Sequence, residues 1–466
     1  MSYANLSFDS ILREIEKKKN RYFNKNLLLT GLEDYDVGVI KEIRNEFDEV
    51  LIRVDGNIPV SLPVQKEQRF LFVSYDQSRY SHGIHKYPAK FFPELPRWLI
   101  KKNSKPGDII LDPFMGSGTT NIEALLSGRH SVGIDVDPFA RFLSKVKLTK
   151  ISYDELAQSE KLLLAEIKKF SPEKVKIKDL PVFPYRDNWF ETDILLELTY
   201  IKKVINYIPI SQEVRDFYKI CLSSIIRQVS NADNNCTRTV IRKKLNKQIY
   251  QTMALTKFVE AVMINSLRMG DFASKINDGI VAEISEESDA RSIKYPERYF
   301  DFAVTSPPYA NAVDYPRTHQ LEMYWLDFVK GSLSEMKKEH VGTEVVSVDD
   351  YKRLHIIGVE RADEIMEEIY KVDKRRAFIA YKYLVDMEQN LKEVYRVLKP
   401  NAKYIIVVGN NRIRGFNFEN WKYLIEIGTR VGFKVEKYYG SEIIKHFIKV
   451  PRDERINTDW IIELRK

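Results

Sequence analysis

The most constraining feature of the chain is a glycine-rich bend between a strand pattern and a helix pattern. Apolar residues Asp108–Leu111 read as a short strand, Asp112-Pro113-Phe114-Met115-Gly116-Ser117-Gly118-Thr119-Thr120 as a tight turn, Asn121–Ser127 as a helix, and Ser131–Asp135 as the next strand. A strand, crossover helix and second strand within about 30 residues form a βαβ unit, which commits the chain to a parallel sheet. The texture resumes at Gly279–Ile284 and Tyr299–Thr305. It returns from Arg376 onward as helix Ala377–Leu398, strand Tyr404–Val408, helix Asn420–Val431 and strands Phe433–Lys437 and Asp459–Leu464. Lys399-Pro400-Asn401 suits the helix-to-strand stop before Tyr404.

Glycines at the bend let the backbone approach a ligand closely, with the N–H groups of the following helix aimed at it. Ser131-Val132-Gly133-Ile134-Asp135 then ends in a carboxylate about 20 residues on, where a ribose diol finds its acceptor. Asp137 competes for this role, and Asp135 is favoured as nearer the strand end. The third glycine of a dinucleotide fingerprint is missing, and no lysine follows the glycines as in a phosphate loop. The expected ligand thus has a ribose and an amino-acid-like part but no pyrophosphate.

A second motif, Thr305-Ser306-Pro307-Pro308-Tyr309, closes the strand Asp301–Val304, at the sheet edge where ligands bind. The prolines stiffen the turn and remove two N–H donors, leaving the Ser306 hydroxyl and the Pro307 carbonyl as acceptors beside an aromatic ring. This arrangement suits a planar molecule with an exocyclic amino group, the acceptors taking its hydrogens while Tyr309 stacks on the ring and floors the pocket. The competing reading is a proline-stiffened strand exit with a surface tyrosine.

DPFMGSGTT, VGIDVD and TSPPY together resemble the glycine-loop, ribose-binding and catalytic motifs of the DNA amino-methyltransferases. These enzymes use S-adenosylmethionine to methylate cytosine N4 or adenine N6. Residues 81–93, SHGIHKYPAKFFP, resemble the family's additional cofactor motif. The resemblance covers about 80–148, 279–310 and 376–466, less than half of the chain. It implies a Rossmann-like methyltransferase fold, α/β, with a mostly parallel seven-stranded sheet and helices on both faces. As catalytic residues it implies Ser306, Pro307, Pro308 and Tyr309. As cofactor-binding residues it implies Lys86, Tyr87, Pro88, Phe91, Asp112, Phe114, Gly116, Ser117, Gly118, Thr119, Asp135 and Asp289, the last meeting the adenine amine. For Asp289, a solvated acidic loop is the rival reading. In the family, Ser at the first position of the tetrapeptide goes mostly with N4-cytosine, and Asp or Asn mostly with N6-adenine, so cytosine is expected and adenine is the alternative. RNA-base or protein-glutamine methylation and a non-catalytic DNA-binding subunit are the readings from other classes.

The division expected is an N-terminal α+β module at 1–80 and a first catalytic part at 81–149. A helical basic insertion at 150–278, a catalytic part at 279–310, a second insertion at 311–375 and a closing catalytic part at 376–466 complete it. The module begins amphipathically with Leu6, Ile11, Leu12 and Ile15, followed by β-rich runs Val37–Ile40 and Val50–Val54. Between Lys202 and Lys275 there are 13 Lys/Arg against 5 Asp/Glu, an excess equal to the +8 of the whole chain. Arg227, Arg238, Arg242, Lys243, Lys244 and Lys247 are therefore the expected contacts to double-stranded DNA, with a solvated basic helix face as the rival reading. The segment 311–375 and the N-terminal module are rival recognition elements. Asn311, Asp314 and Tyr315 are candidates for the base pocket, or for capping the next helix.

Two cysteines, Cys221 and Cys236, without a CxxC or a Cys/His cluster, predict no metal site and no disulfide framework. His82 and His85 lack an acidic or Cys partner nearby in sequence and are expected in packing or cofactor contacts. With no apolar run of bilayer length and a polar N-terminus, no membrane association is expected and the cytoplasm is the expected location. A cognate restriction endonuclease is the expected partner activity.

Overall fold

The computed structural model describes residues 10, 12–20, 39–45, 48–242, 247–310, 314–443 and 457–466. Leu6, Ile11, Val37, Lys243, Lys244 and Asn311 lie outside them. The elements that position the site are, in order, β1 (Val39–Arg44), β2 (Val50–Asp55), β3 (Arg69–Val73), α1 (Glu94–Asn103), β4 (Ile109–Asp112), α2 (Thr119–Leu126), β5 (His130–Ile134) and α3 (Pro138–Leu148). The first insertion contributes α4 (Tyr153–Ile167), α5 (Thr192–Tyr207), α6 (Gln212–Val229) and α7 (Met253–Lys275). Then come β6 (Ala282–Ser285), β7 (Phe300–Thr305), α8 (Glu360–Val372), α9 (Lys374–Val397), β8 (Leu398–Gly409), α10 (Asn420–Val431), β9 (Lys434–Glu442) and β10 (Thr458–Arg465).

The strands form one sheet in the order β1-β2-β3-β9-β10-β8-β7-β4-β5-β6. From β8 to β6 all pairs are parallel, and β10 runs antiparallel to both β8 and β9. The seven expected strands are present, β6-β5-β4-β7-β8-β10-β9, but the sheet does not stop there. β3 pairs in parallel with β9 through Arg69 and Phe70 opposite Gly440 and Ser441, so the N-terminal strands extend the catalytic sheet to ten. The boundary expected at residue 80 therefore crosses a continuous sheet.

The order of strand addition reverses between the parallel neighbours β4 and β7, whose Ile110 and Leu111 lie opposite Phe302 and Ala303. Crossovers leave on opposite sides there, so a crevice opens at the carboxyl ends of these two strands. Both motif loops begin at that point, after Asp112 and after Thr305.

The first insertion enters between α3 and β6, before the third strand of the family core. It is no solvated appendage. Phe139 and Leu143 of α3 share a core with Leu163, Leu198, Phe217, Ile225, Phe258 and Val262 from α4 to α7. Full burial of each such side chain stabilises by about 1.5–3 kcal/mol, so the basic sequence hides a second apolar core. Ser152 and Ser211 cap α4 and α6, and the buried Glu197 of α5 accepts the backbone N–H groups of Ala254 and Leu255 at the start of α7. Cys221 is buried in this core and Cys236 is half-buried. No helix among the described residues is long and apolar enough to cross a membrane.

Candidate active site

A cavity of about 360 Å³ lies at the crevice between β4 and β7 and receives both motif loops. Its walls include Tyr87 and Phe91, the bend from Asp112 to Ser117, Thr119, Asp135, Asp289, Ser306 and Pro308. The second insertion closes it with Asp314, Tyr315 and the stretch from His340 to Val345.

The glycine bend is held from several sides. Gly116 and Gly118 adopt φ of 51° and 76°, the left-handed region that side chains disfavour. A Cβ on Gly118 would also stand 2.9 Å from the Ser144 hydroxyl oxygen. The Gly116 N–H donates to the Asp135 carboxylate (2.9 Å) and its carbonyl accepts from the Ser144 hydroxyl (2.9 Å). Behind the loop, the fully buried Lys147 donates to the Ser117 carbonyl (3.2 Å), and burial pushes its pKa well below the ordinary lysine range. Asp112 accepts from the Phe114 N–H (3.1 Å) and from the Thr305 hydroxyl (2.5 Å), and its burial lifts the carboxyl to about 6.

Asp135 and Asp137 both line the cavity and differ in the groups they hold. Asp137 is the N-cap of α3, accepting from Phe139 N–H (2.8 Å) and Ala140 N–H (3.3 Å), with Pro138 at the first helical position. His340 of the second insertion stands 3.6 Å from its other oxygen. Asp135 faces the cavity, and burial, with Asp137 beside it, raises its carboxyl to about 6.

The cofactor called for by the motifs fits this cradle. The Ser117 hydroxyl is buried without a hydrogen-bond partner and lies on the cavity wall. Tyr87, whose ring stacks on Tyr315 (5.5 Å) and His319 (5.0 Å), packs next to Gly116, where a Cβ would come within 3.5 Å of the ring. Of the expected cofactor residues, Lys86 is exposed and off the wall, Pro88 is off the wall, and Gly118 turns the loop behind it. Asp289 is on the wall but engaged bidentately by Arg291, with contacts of 2.9 and 2.7 Å.

In the proline-proline-tyrosine loop, Ser306 and Pro308 line the cavity and Pro307 is buried. Tyr309 departs from expectation. Its ring is half-buried against the sheet core instead of on the cavity wall, because its hydroxyl donates to Asp459 at the start of β10 (2.7 Å). Burial raises the Asp459 carboxyl to about 6, while the Tyr309 hydrogen bond opposes that shift and the nearby Glu442 adds to it. Nothing local in TDWII marks Asp459, which lies 150 residues from its partner.

The basic set divides. Arg227 spends its guanidinium on the carbonyls of Asp233 (2.8 Å), Cys236 and Thr237 (3.4 Å), and Lys247 donates to those of Arg227 (2.7 Å), Ser230 and Ala232 (3.0 Å). Arg242 pairs with Asp233 at 3.1 Å. These three hold the loop after α6 in place, against the expectation that they face DNA, because the loop's carbonyls have no ladder to join. Of the four described members of the set, Arg238 alone lines the cavity. His82 and His85 diverge, the first to Glu123 (2.7 Å) and the second to the Lys86 carbonyl (2.7 Å) and Ser223 (3.1 Å). Among the described residues no group of His, Cys, Asp and Glu could hold a metal ion.

A family model described as DNA methylase matches residues 3–145. The type II methyltransferase M.MvaI of Kocuria varians is 27% identical over 395 residues, covering 80% of this chain and 85% of that one. M.BsoBI of Geobacillus stearothermophilus is 26% identical over 421 residues, 79% and 82% of the two chains. M.MjaII of Methanocaldococcus jannaschii is 31% identical over 208 residues, 43% of this chain and 37% of that one. Two of these likenesses extend well beyond the motifs, and together with the two motif loops meeting in one cavity they support an amino-methyltransferase of the N4/N6 family.

Proposed function

We propose that the protein transfers a methyl group from S-adenosylmethionine to the exocyclic N4 of a cytosine extruded from duplex DNA, as the protective partner of a restriction endonuclease in the cytoplasm. The observation that carries the reading is Ser306 at the first position of the proline-proline-tyrosine loop, lining the same cavity as the glycine bend. Bound there, the cofactor supplies an electrophilic sulfonium methyl. Asp135 takes the ribose hydroxyls, Tyr87 and Phe91 provide apolar walls, the Ser117 hydroxyl offers a free polar contact, and Asp289, steadied by Arg291, faces the adenine amine.

The cytosine amino nitrogen is a poor nucleophile because its lone pair is delocalised into the ring. Ser306 Oγ and the Pro307 carbonyl accept hydrogen bonds from its two hydrogens and draw the nitrogen towards a tetrahedral form, freeing that lone pair for in-line attack, in which the methyl–sulfur bond breaks with its electron pair left on sulfur and the surplus proton on nitrogen passes to solvent. No covalent enzyme intermediate is required, and the buried Cys221, its thiol pushed up to about 12 by burial, is unsuited to be a nucleophile. Extruding the base costs a few kcal/mol, offset by contacts within the cavity.

Incubation with duplex DNA and cofactor, followed by digestion to nucleosides and mass analysis, tests this. N4-methylcytosine is the expected product. N6-methyladenine moves the target to the other base, and the absence of any modified nucleoside ends the proposal.

A further inference from the structure

The Thr239 hydroxyl donates to the carbonyl of Thr318 across 2.7 Å in a buried bond that ties the loop after α6 to the short helix Tyr315–Thr318. The two segments belong to different insertions. Their neighbours in sequence, Arg238 and Arg317, are exposed, and both line the cavity that holds Ser306. The other Lys and Arg side chains lining that cavity are spent: Lys90 on the Gln77 and His82 carbonyls (3.1 and 3.3 Å), Lys337 on Asp314 (2.6 Å) and Arg375 on the Glu344 carbonyl (2.7 Å). Among the described residues, neither Arg238 nor Arg317 has a side-chain hydrogen bond or ion pair.

Two unpaired guanidinium groups on the rim of one cavity give that rim a cationic edge suited to an anion. Guanidinium forks match phosphate oxygens in geometry and charge. A nucleotide that places its base in a cavity leaves its own phosphates at the mouth. We infer that Arg238 and Arg317 form a clip for the DNA phosphates flanking the extruded nucleotide, so that both insertions grip the strand at the point of chemistry. This rests on the DNA methyltransferase reading above and adds to it the residues that hold the strand. It also explains why the loop is anchored so heavily: Arg227, Lys247 and Arg242 hold the platform that presents Arg238.

The test is methyl incorporation into plasmid duplex DNA by the full chain, with kcat/KM followed across salt concentration for wild type, R238Q/R317Q and R238A/R317A. Each duplex phosphate contact contributes about 0.9 to the slope of log affinity against log salt, so both variants are expected to lose about 2 from it. Calorimetric affinity for S-adenosylmethionine is expected to stay unchanged, which also shows that the variants are folded. An unchanged salt slope overturns the inference. So does weakened cofactor binding without a change in slope, since the pair would then serve the cofactor's carboxylate. A wild type that methylates no DNA fails the underlying function instead and takes the clip with it.

Discussion

The Thr305 hydroxyl donates to Oδ1 of Asp112 across 2.5 Å, joining the carboxyl ends of β7 and β4 at the reversal point of the sheet. Each residue opens one of the two motif loops, so the bond fixes the distance between the cofactor cradle and the acceptor pair of Ser306 and Pro307. Thr305→Val keeps the shape but removes the donor, leaving a fully buried carboxyl with one partner fewer. The expected result is a loss of about 1–3 kcal/mol in unfolding free energy. Single-turnover methyl transfer should slow with it, because small misplacements of reacting groups are costly. Denaturant titration and rapid-quench kinetics read the two effects, and unchanged values in both would remove the bond from the account.

Ser306→Ala and Tyr309→Ala separate chemistry from cofactor binding. In the proposed mechanism Ser306 supplies an acceptor to the reacting amine, so its loss is expected to lower kcat on the order of 10²-fold. Tyr309 sits beneath the loop on Asp459, so its truncation should lower kcat through disorder of Ser306 and Pro308 and also reduce stability. Calorimetry is expected to find S-adenosylmethionine affinity close to wild type in both. A variant that lost cofactor affinity alone would contradict the assigned roles.

Gly118→Ala addresses the cradle. With φ at 76° and the Ser144 oxygen 2.9 Å from the added carbon, the substitution is strained twice. A cost of about 1–2 kcal/mol from the left-handed backbone alone is expected, seen as a lower Tm. Cofactor affinity should fall tenfold or more as the bend shifts. Gly107→Ala, at φ 86° with open space around the new carbon, isolates the backbone part of the penalty.

The motif-bearing half of the fold was legible because its signals are local. The Gly116–Gly118 bend, the Asp137-Pro138 cap of α3 and the proline pair after Thr305 each specify backbone shape within a few residues. Helix Asn420–Val431 was readable to the residue, ending at Gly432 with φ 120°. What escaped depends on distant pairing. Nothing near Arg69 and Phe70 signals that their strand lies beside Gly440 and Ser441, and nothing near Asp459 signals Tyr309. The charge count from Lys202 to Lys275 misled for a related reason, since composition does not tell a cation facing solvent from one spent on loop carbonyls, as Arg227 and Lys247 are.

That distinction has a direct test in Lys247→Ala beside Arg238→Ala. Removing the Lys247 ammonium takes a donor from the Arg227 carbonyl at the end of α6 and from the loop carbonyls of Ser230 and Ala232, and about 1–3 kcal/mol of stability should go with it. Arg238→Ala removes no internal bond, and Tm should stay within the small range usual for surface changes. A Lys247 variant with wild-type Tm and only weakened DNA binding would return that lysine to the nucleic-acid surface.

Asp459→Asn probes the buried charge under Tyr309. In the folded protein burial raises this carboxyl to about 6, above the ordinary aspartate value of about 4, so the wild type loses stability as pH rises between these values, because the unfolded chain ionises first. Below about pH 4 the acid is neutral in both states and nothing is lost. Asparagine keeps an oxygen to accept from the Tyr309 hydroxyl and carries no charge at any pH. The charged groups facing the site are Glu442, which adds to the shift, and Arg69, which pairs with Glu442 and bonds Thr458 next to Asp459. The variant is therefore expected to gain about 1–2 kcal/mol over wild type near pH 7.5, after allowance for the partial exposure of the group, and the gain should vanish near pH 4. Paired denaturant titrations at the two pH values measure it. A gain that is equal at both, or larger in acid, would mean that Asp459 is ionised in the fold at no cost and that Arg69 reaches it after all.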